Sequence, residues 1–183
     1  MTDNTDWLGL NGKIAAITGA GGGIGRAVAL GLARVGAQPI LLDRDMTTCA
    51  ETQAQLKAMG VDAPAIACDI AKPDSVKAAA EEAGVVDILV NNAGILRAGP
   101  LSSISVEAWN RVLSVNVTGY FLCAQAFGQG MLAKGKGAIV HVASIASRFP
   151  QGASGAYSVS KTGVVMLSQQ IALEWGPQGV RSN

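Results

Sequence analysis

Five short apolar runs alternate with longer segments of helical period, and this alternation narrows the folds open to the chain. The runs are apolar on both faces, as the strands of a parallel sheet are when helices cover both sides of it. The segments between them, such as 24–35 and 105–132, have the length and pattern of helices. We therefore predict an α/β fold with a doubly wound parallel sheet, whose first five strands are 13–18, 39–43, 63–68, 86–90 and 138–143.

The length and charge of the chain limit its organisation and its partners. With 183 residues, 49% of them apolar and 15% charged, a single domain over residues 1–183 is expected. Fourteen basic and thirteen acidic residues leave a formal charge of +1 without a basic cluster, so neither nucleic acid nor an anionic membrane surface is an expected partner. The polar N-terminus "MTDNTDWLGL" and the lack of an apolar stretch near 20 residues predict a cytoplasmic, soluble protein.

Metal and disulfide chemistry are not expected. The three cysteines share no short spacing, and His141 is the only histidine, so the sequence indicates neither a zinc site nor a disulfide framework. His141 lies inside the fifth predicted strand among apolar neighbours. We therefore interpret it as a structural residue and predict no metal.

The segment from Thr18 to Gly25, "TGAGGGIG", contains five glycines in eight residues. Its spacing departs from G-x-G-x-x-G, because Ile24 stands at the third glycine position. It nevertheless connects the first strand to a helix, where bare backbone can approach a pyrophosphate and the helix N-terminus can face it. Asp43 ends the second strand and suits an acid that accepts hydrogen bonds from ribose hydroxyls. A tight turn without a ligand and an ordinary acid at a strand end are the alternatives.

The spacing T-G-x-x-x-G-x-G in this loop resembles the short-chain dehydrogenase/reductase family, and further motifs of that family follow in order. They are "NNAG" at 91–94, "YSVSK" at 157–161 with its Y-x-x-x-K spacing, and a serine thirteen residues before the tyrosine. The resemblance covers essentially the whole chain. It implies a Rossmann-type sheet, a nicotinamide cofactor and an oxidoreductase that interconverts an alcohol and a carbonyl. It also implies a homo-oligomer formed through the helices near 105–132 and 155–175.

The Y-x-x-x-K pair suits proton transfer to a carbonyl oxygen. A phenol with a pKa near ~10 loses its proton at neutral pH only beside a cation, and a lysine four residues later lies on the same helix face. Tyr157 and Lys161 have this spacing. Ser144 closes the fifth strand, where its hydroxyl can hold the substrate oxygen, although Ser147 is close by and a serine that merely caps the loop is the alternative.

The resemblance adds roles that spacing alone does not show. Asn116 would belong to a proton relay that reaches Lys161 through a bound water, with a solvated or backbone-bonded asparagine as the alternative. Asp69 would contact the adenine amino group, and Asn92 to Gly94 would line the adenosine ribose. The predicted catalytic residues are Asn116, Ser144, Tyr157 and Lys161. The predicted cofactor-binding residues are Gly19, Gly23, Ile24, Gly25, Asp43, Asp69, Ile70, Asn92, Ala93, Gly94, Tyr157 and Lys161.

The predicted cofactor is NAD, because the carboxylate of Asp43 would repel the 2′-phosphate of NADP. NADP remains the less favoured alternative, because the basic residue Arg44 follows Asp43 directly. The main prediction is therefore an NAD-dependent oxidoreductase that transfers a hydride to or from a small alcohol or carbonyl, with Tyr157 as acid and base. Two alternatives stay open: a truncated cofactor-binding fragment with little or no catalysis, and an NADP-dependent 3-oxoacyl-carrier reductase.

The resemblance also predicts that the C-terminal end of the sheet is incomplete. Chains of this family continue beyond a sixth strand, of which only "VRSN" at 180–183 is present here. We therefore expect a sheet that lacks the last strands of the family fold. The fifth strand, 138–143, would then expose an apolar edge that favours self-association and lowers stability.

Overall fold

The chain folds around one sheet of six strands, seen in a computed structural model that describes residues 5–183. A short 3-10 helix, Thr5–Leu8, precedes it. The strand order is β3-β2-β1-β4-β5-β6, and every neighbouring pair is parallel. The strands are β1 (Ile14–Thr18), β2 (Gln38–Asp43), β3 (Ala65–Ala67), β4 (Ile88–Asn91), β5 (Gly137–His141) and β6 (Val180–Ser182).

None of the helices in residues 5–183 is long and apolar enough to cross a membrane. Six α-helices connect the strands of the sheet. Parallel strands need such crossovers, because each strand must start again at the same end of the sheet. The helices are α1 (Gly23–Arg34), α2 (Met46–Ala58), α3 (Pro73–Ala83), α4 (Val106–Leu113), α5 (Gly119–Ala133) and α6 (Ala156–Trp175).

Alternate residues of the strands pack into two separate cores. In β1, Ala16 belongs to a core shared with α3, α5 and α6, whereas Ala15 and Ile17 belong to a core shared with α1 and α2. Helices therefore cover both faces of the sheet, which is why the strands are apolar on both sides. This arrangement confirms the predicted doubly wound α/β fold.

The strand order reverses at β1, which lies between β2 and β4. Chains leaving β1 and β4 turn toward opposite faces of the sheet, and this leaves a crevice beyond their carboxyl ends. The glycine loop 18–25 follows β1, and the segment 91–94 follows β4. The fold thus brings the two motifs to the same edge.

The predicted helix over 105–132 is present, with one π-helical turn inside it. It consists of α4, a π-helical turn at Ser114–Thr118 and α5. The turn contains Asn116, whose buried side chain bonds to the backbone of another segment. One-turn π insertions re-aim side chains within a helix, and a hydrophobic period does not reveal them.

The prediction of an exposed edge on the fifth strand is wrong. Residues 180–182 form β6, which pairs with β5 from Gly137 to Ile139. The pairing extends beyond these residues, since Asn183 accepts a hydrogen bond from the His141 N–H at 2.7 Å and donates one to the Ile139 carbonyl at 3.0 Å. Four residues are enough to cover the ladder of β5, which itself ends at His141 instead of residue 143.

Candidate active site

A cleft of about 370 Å³ opens at the carboxyl ends of β1 to β4. Eight of the twelve predicted cofactor-binding residues line it: Gly19, Ile24, Asp43, Asp69, Ile70, Asn92, Ala93 and Gly94. Its other lining residues are Gly22, Arg44, Cys68, Ile95, Arg111 and Val115. Gly23, Gly25, Tyr157 and Lys161 are not part of this lining. The predicted nucleotide residues thus share one cavity, although they come from four different loops.

The glycine loop is packed so closely that three of its glycines, Gly19, Gly21 and Gly25, leave no room for a side chain. Gly19 has φ +69°, and a Cβ built on it would lie 2.9 Å from the Cα of Ala93. A Cβ on Gly25 would overlap the carbonyl oxygen of Gly19. Gly22, by contrast, faces open space at the start of α1, where no side chain caps the helix. The first N–H groups of α1 are therefore available to an anion.

Arg26 fixes the outer side of this loop. Its guanidinium donates to the Gly21 carbonyl and to the Thr52 hydroxyl, and it forms an ion pair of 2.7 Å with Glu51. The positive charge beside the loop is therefore already paired. It does not stand free to receive a phosphate.

Asp43 stands at the end of β2 with both carboxylate oxygens engaged. Oδ2 accepts a hydrogen bond of 3.0 Å from the Gly21 N–H, and Oδ1 accepts one of 3.1 Å from the Asp45 N–H. These bonds fix the carboxylate at the wall of the cleft, next to the exposed Arg44. Each oxygen has further lone pairs that can accept hydroxyl donors.

Thr18 joins the two motifs at the reversal point of the sheet. Its hydroxyl accepts hydrogen bonds from the N–H groups of Asn92 at 2.9 Å and Ala93 at 3.1 Å, and donates to the Val90 carbonyl at 3.3 Å. The Asn92 amide in turn donates to the Thr18 carbonyl at 2.9 Å. One buried hydroxyl therefore holds the glycine loop against the segment 91–94. The sequence offers Thr18 only as the first letter of the motif.

Asp69 and Ile70 form the far wall of the cleft. The Asp69 carboxylate accepts a hydrogen bond of 3.1 Å from the Ala71 N–H, which holds the turn after β3. Ile70 packs so closely on Gly119 that a Cβ there would lie 2.8 Å from its side chain. The start of α5 thus supports this wall from behind.

Asn116 is buried and its side chain bridges the π-helical turn to the loop after β4. Oδ1 accepts from the Ile95 N–H at 2.9 Å, and Nδ2 donates to the Ile95 carbonyl at 2.9 Å and to the Ser160 hydroxyl at 3.0 Å. In this structure Asn116 is the backbone-bonded asparagine that the sequence leaves as an alternative. Its Oδ1 nevertheless faces Gly94, within 3.3 Å of where a Cβ would stand.

Lys161 converges on the same point from α6. Its Nζ lies 3.7 Å from the position of a Cβ on Gly94 and 5.9 Å from the ring centroid of Tyr157. The side chain is buried, and burial lowers the pKa of the ammonium from 10.5 to about 8. The structure therefore brings Lys161 and Asn116 together beside Gly94 of the cleft, with the Tyr157 ring next to the Lys161 ammonium.

Ser144 begins a 3-10 turn just beyond β5. Its Oγ accepts a hydrogen bond of 3.1 Å from the Ala146 N–H, so the hydroxyl is oriented by the turn and keeps its own proton for another acceptor. The neighbouring Ser147 donates its proton to the Ser144 carbonyl at 2.6 Å. Of the two serines, Ser144 is the one with a hydroxyl proton still to offer. Within the described residues it makes no hydrogen bond to Tyr157 or Lys161.

The family model described as short chain dehydrogenase matches residues 13–183, which is nearly all of the described chain. The chain belongs to the short-chain dehydrogenase family.

Relatives within the family extend beyond the length of this chain. The chain is 42% identical over 178 residues to a D-threitol dehydrogenase of Mycolicibacterium smegmatis, covering 95% of the chain and 68% of the relative. It is 35% identical over 182 residues to a gluconate 5-dehydrogenase of Gluconobacter oxydans, covering 97% of the chain and 71% of the relative.

Solved structures of short-chain dehydrogenases share the fold. A gluconate 5-dehydrogenase of Burkholderia cenocepacia, in complex with NADP and tartrate, is 35% identical with a TM-score of 0.90, over 95% of this chain and 70% of that one. An NAD+-bound xylitol dehydrogenase is 34% identical with a TM-score of 0.90, over 95% of this chain and 69% of that one. Similar chains thus carry either cofactor, and general alcohol and carbonyl oxidoreduction follows from the family.

Some residues around the candidate site belong to no motif in the sequence. Tyr120 lies under Lys161, with its ring centroid 5.1 Å from Nζ, and the carbonyl of Val142 accepts a hydrogen bond of 2.6 Å from that ammonium. Arg111 reaches the cleft from α4. Each depends on how α4, α5 and β5 pack against α6. For Tyr120 the one hint in the sequence is that the chain has only two tyrosines.

His141 is buried in β5, away from the cleft lining. Its ring stacks on Tyr120 with centroids 5.9 Å apart, and its Nδ1 lies 3.3 Å from the amide nitrogen of Asn91. Burial, and then the charge of Lys161, lower the pKa of His141 to about 4, so the imidazole is neutral near pH 7. Within residues 5–183, no cluster of three or more histidine, cysteine or acidic side chains could hold a metal.

Proposed function

We propose that the chain is a single NAD-binding domain and an oxidoreductase that interconverts a small alcohol and its carbonyl, with Tyr157 as acid and base. The observation that carries this proposal is the buried ammonium of Lys161, 5.9 Å from the Tyr157 ring and next to Gly94 of the cleft. As the family resemblance implies, Tyr157 would exchange a proton with a substrate oxygen, with Lys161 beside it.

The cleft suits a dinucleotide. The closed packing at Gly19 and Gly25, the open backbone at Gly22 and the uncapped N-terminus of α1 fit a pyrophosphate. Asp43 would hold the adenosine ribose, and Asp69 with Ile70 would hold the adenine. When bound, the nicotinamide supplies or takes up the hydride.

The chain's own residues handle the proton and the substrate oxygen. Ser144 would donate a hydrogen bond to that oxygen and orient it. Tyr157 would donate its proton to the carbonyl in the reducing direction and remove it from the alcohol in the oxidising direction. Lys161 would hold the charge on the phenol oxygen, and Asn116 would hold the backbone of Ile95 and, through Oδ1, a water at Gly94. The test of the proposal is NAD-dependent oxidation by the purified chain.

The relatives guide the choice of substrate for that test. Several are named as dehydrogenases of D-threitol, galactitol or gluconate. We therefore propose a polyhydroxylated substrate, and a polyol panel of D-threitol, galactitol, xylitol and gluconate as the first set to assay.

NADH is expected to bind at least about tenfold more tightly than NADPH, because the fixed carboxylate of Asp43 would meet the 2′-phosphate. Arg44 and Arg111 also line the cleft and are the groups that would favour NADPH instead. Calorimetric titration with both cofactors measures the ratio. Asp43→Ala should reduce this ratio of affinities, because it weakens the binding of NADH and removes the charge that repels NADPH.

The control is Asp62→Ala, which removes an exposed acid outside the cleft and should leave the ratio unchanged. Equal or tighter binding of NADPH by the unaltered chain would contradict the proposed cofactor.

We also propose that the chain forms a homo-oligomer through α5 and α6. Val159, Met166 and Leu173 are 46%, 61% and 73% exposed and recur every seven residues, so they share one face of α6. Phe121 is an exposed aromatic on α5. Exposed apolar side chains aligned in this way are typical of an interface between subunits.

Met166→Glu is expected to weaken the oligomer on the order of tenfold or more, because a carboxylate would be buried in the apolar interface. Sedimentation velocity across a concentration series measures this. Gln55→Glu adds the same charge on an exposed position of α2 and should leave the association unchanged. A wild-type chain that sediments as a monomer at all concentrations would contradict the proposal.

A further inference from the structure

The side chain of Lys161 is held in its pocket by a residue that the proton-transfer scheme does not include. Its ammonium has three donors, and two of them bond to groups other than Tyr157. One bonds to the Val142 carbonyl at 2.6 Å, and the other to the hydroxyl of Tyr120 at 3.4 Å. The same ammonium lies 5.1 Å from the Tyr120 ring centroid, a distance at which the ring face attracts a cation.

Tyr120 is itself fixed from three directions. Its hydroxyl donates to the Val142 carbonyl at 3.3 Å, so Tyr120 and Lys161 share one acceptor. Its backbone carbonyl accepts a hydrogen bond of 3.1 Å from the buried Asn91 amide, and the His141 ring stacks on its ring. Tyr120 has no exposed surface. A side chain held in this way can define the position of its neighbour.

The charges around Lys161 make Tyr120 a neutral partner. The groups that face the ammonium are Tyr157 on its own helix, Tyr120 on α5 and His141 on β5. Burial raises the pKa of Tyr120 well above its usual range, and His141 is neutral near pH 7. Within the described chain no carboxylate forms an ion pair with Lys161. Its charge is therefore supported by neutral groups, of which the Tyr120 hydroxyl and ring are two.

We propose that Tyr120 is a positioning residue that keeps Lys161 charged and directed at Tyr157. The ammonium is expensive to bury, and burial alone favours its neutral form. A hydroxyl oxygen and an aromatic face both favour the charged form. Tyr120 offsets part of the cost of burial without adding a negative charge that would draw the ammonium away from the phenol. The contribution of Tyr120 to catalysis rests on the proposed function, whereas its effect on the protonation of Lys161 does not.

The test is the titration of Lys161 in the full chain without cofactor, followed by NMR of 13C at the ε-carbons of its seven lysines. Lys161→Gln identifies the resonance. In Tyr120→Phe, the loss of the hydroxyl acceptor is expected to lower the pKa of Lys161 by about half a unit to one unit. Tyr120→Leu also removes the ring face, and serves as a second variant should the phenylalanine change be masked by a water.

The matched control is Phe127→Leu, which removes a buried ring from the same helix away from Lys161. It is expected to lower stability and leave the lysine titration unmoved. With a substrate in hand, Tyr120→Phe should also lower kcat about threefold to tenfold while its thermal stability stays near that of the unaltered chain.

These measurements separate the inference from the proposed function. A titration of Lys161 that is unchanged in both Tyr120 variants overturns the inference, whatever the activity. A lowered pKa in those variants supports it, even if the unaltered chain oxidises no member of the polyol panel, in which case the proposed function fails on its own.

Discussion

Tyr157→Phe is expected to lower turnover by about 10²- to 10⁴-fold and to leave cofactor affinity within about threefold of the unaltered chain. The substitution removes only the phenolic oxygen, which is the proposed proton donor and acceptor. Lys161→Ala is expected to lower both turnover and affinity, because the ammonium supports the phenol and, as the family resemblance implies, the nicotinamide ribose. Steady-state kinetics and calorimetric titration on the same preparations measure both quantities.

This pair of variants distinguishes a proton-transfer role from a binding role. Each variant should first be shown to be folded by its thermal transition, since Lys161 is buried and its removal leaves the Val142 carbonyl with only the longer bond from the Tyr120 hydroxyl. Full activity in Tyr157→Phe would exclude Tyr157 from the chemistry. Unchanged affinity in Lys161→Ala would exclude the lysine from cofactor binding.

The second large effect is expected at Gly25. In Gly25→Ala, the new Cβ would overlap the carbonyl oxygen of Gly19 and lie 2.6 Å from the Asn92 amide nitrogen. Because the nearest atom belongs to the backbone, the loop itself has to move. We expect cofactor affinity to fall by at least about a hundredfold, and the free energy of unfolding to fall by about 1–3 kcal/mol.

Gly31→Ala is the matched control, since it makes the same change in the same helix. A Cβ on Gly31 would meet nothing within 4 Å. Alanine there should raise the free energy of unfolding by about 0.5–1 kcal/mol and leave binding unchanged. Urea unfolding and cofactor titration of both variants test the pair. Affinity in Gly25→Ala close to that of the unaltered chain would show that the close packing of the loop is not required for binding.

The parts of the fold that local pattern controls are predictable from the sequence. A buried parallel strand must be apolar on both faces, so β1, β2 and β4 are visible as short apolar runs. The loop 18–25 follows one of these runs, and this order along the chain is enough to place its glycines at the carboxyl edge of the sheet. The spacing of Tyr157 and Lys161 is likewise a property of a single helix.

Features that arise between elements are not predictable in the same way. β6 has three residues, too few for a period, so only the family resemblance points to it, and its pairing with β5 is a tertiary contact. Asn116 in the π-helical turn bonds to the backbone of Ile95, 21 residues away in the sequence. Tyr120 gains its place only when α5, β5 and α6 pack together. Residues of this kind are set by tertiary contacts that no local spacing encodes.

Thr18 belongs both to a local sequence motif and to a set of tertiary contacts. Its position beside the glycines is a sequence motif, but its function in the fold is to accept N–H groups from a segment more than 70 residues away. The motif marks the threonine as part of the glycine loop. Only the structure shows that this threonine aligns the two halves of the cleft.

The most direct test of the central claim is the absorbance of NADH at ~340 nm after the purified chain is mixed with NAD and each member of the polyol panel. We predict that absorbance rises with at least one substrate and that Tyr157→Phe, at equal cofactor occupancy, shows a rate lower by about two orders of magnitude or more. If the chain binds NAD in a calorimeter yet produces no NADH with any member of the panel, and reduces none of the corresponding carbonyl compounds with NADH, the chain is a cofactor-binding fragment and the proposed activity is wrong.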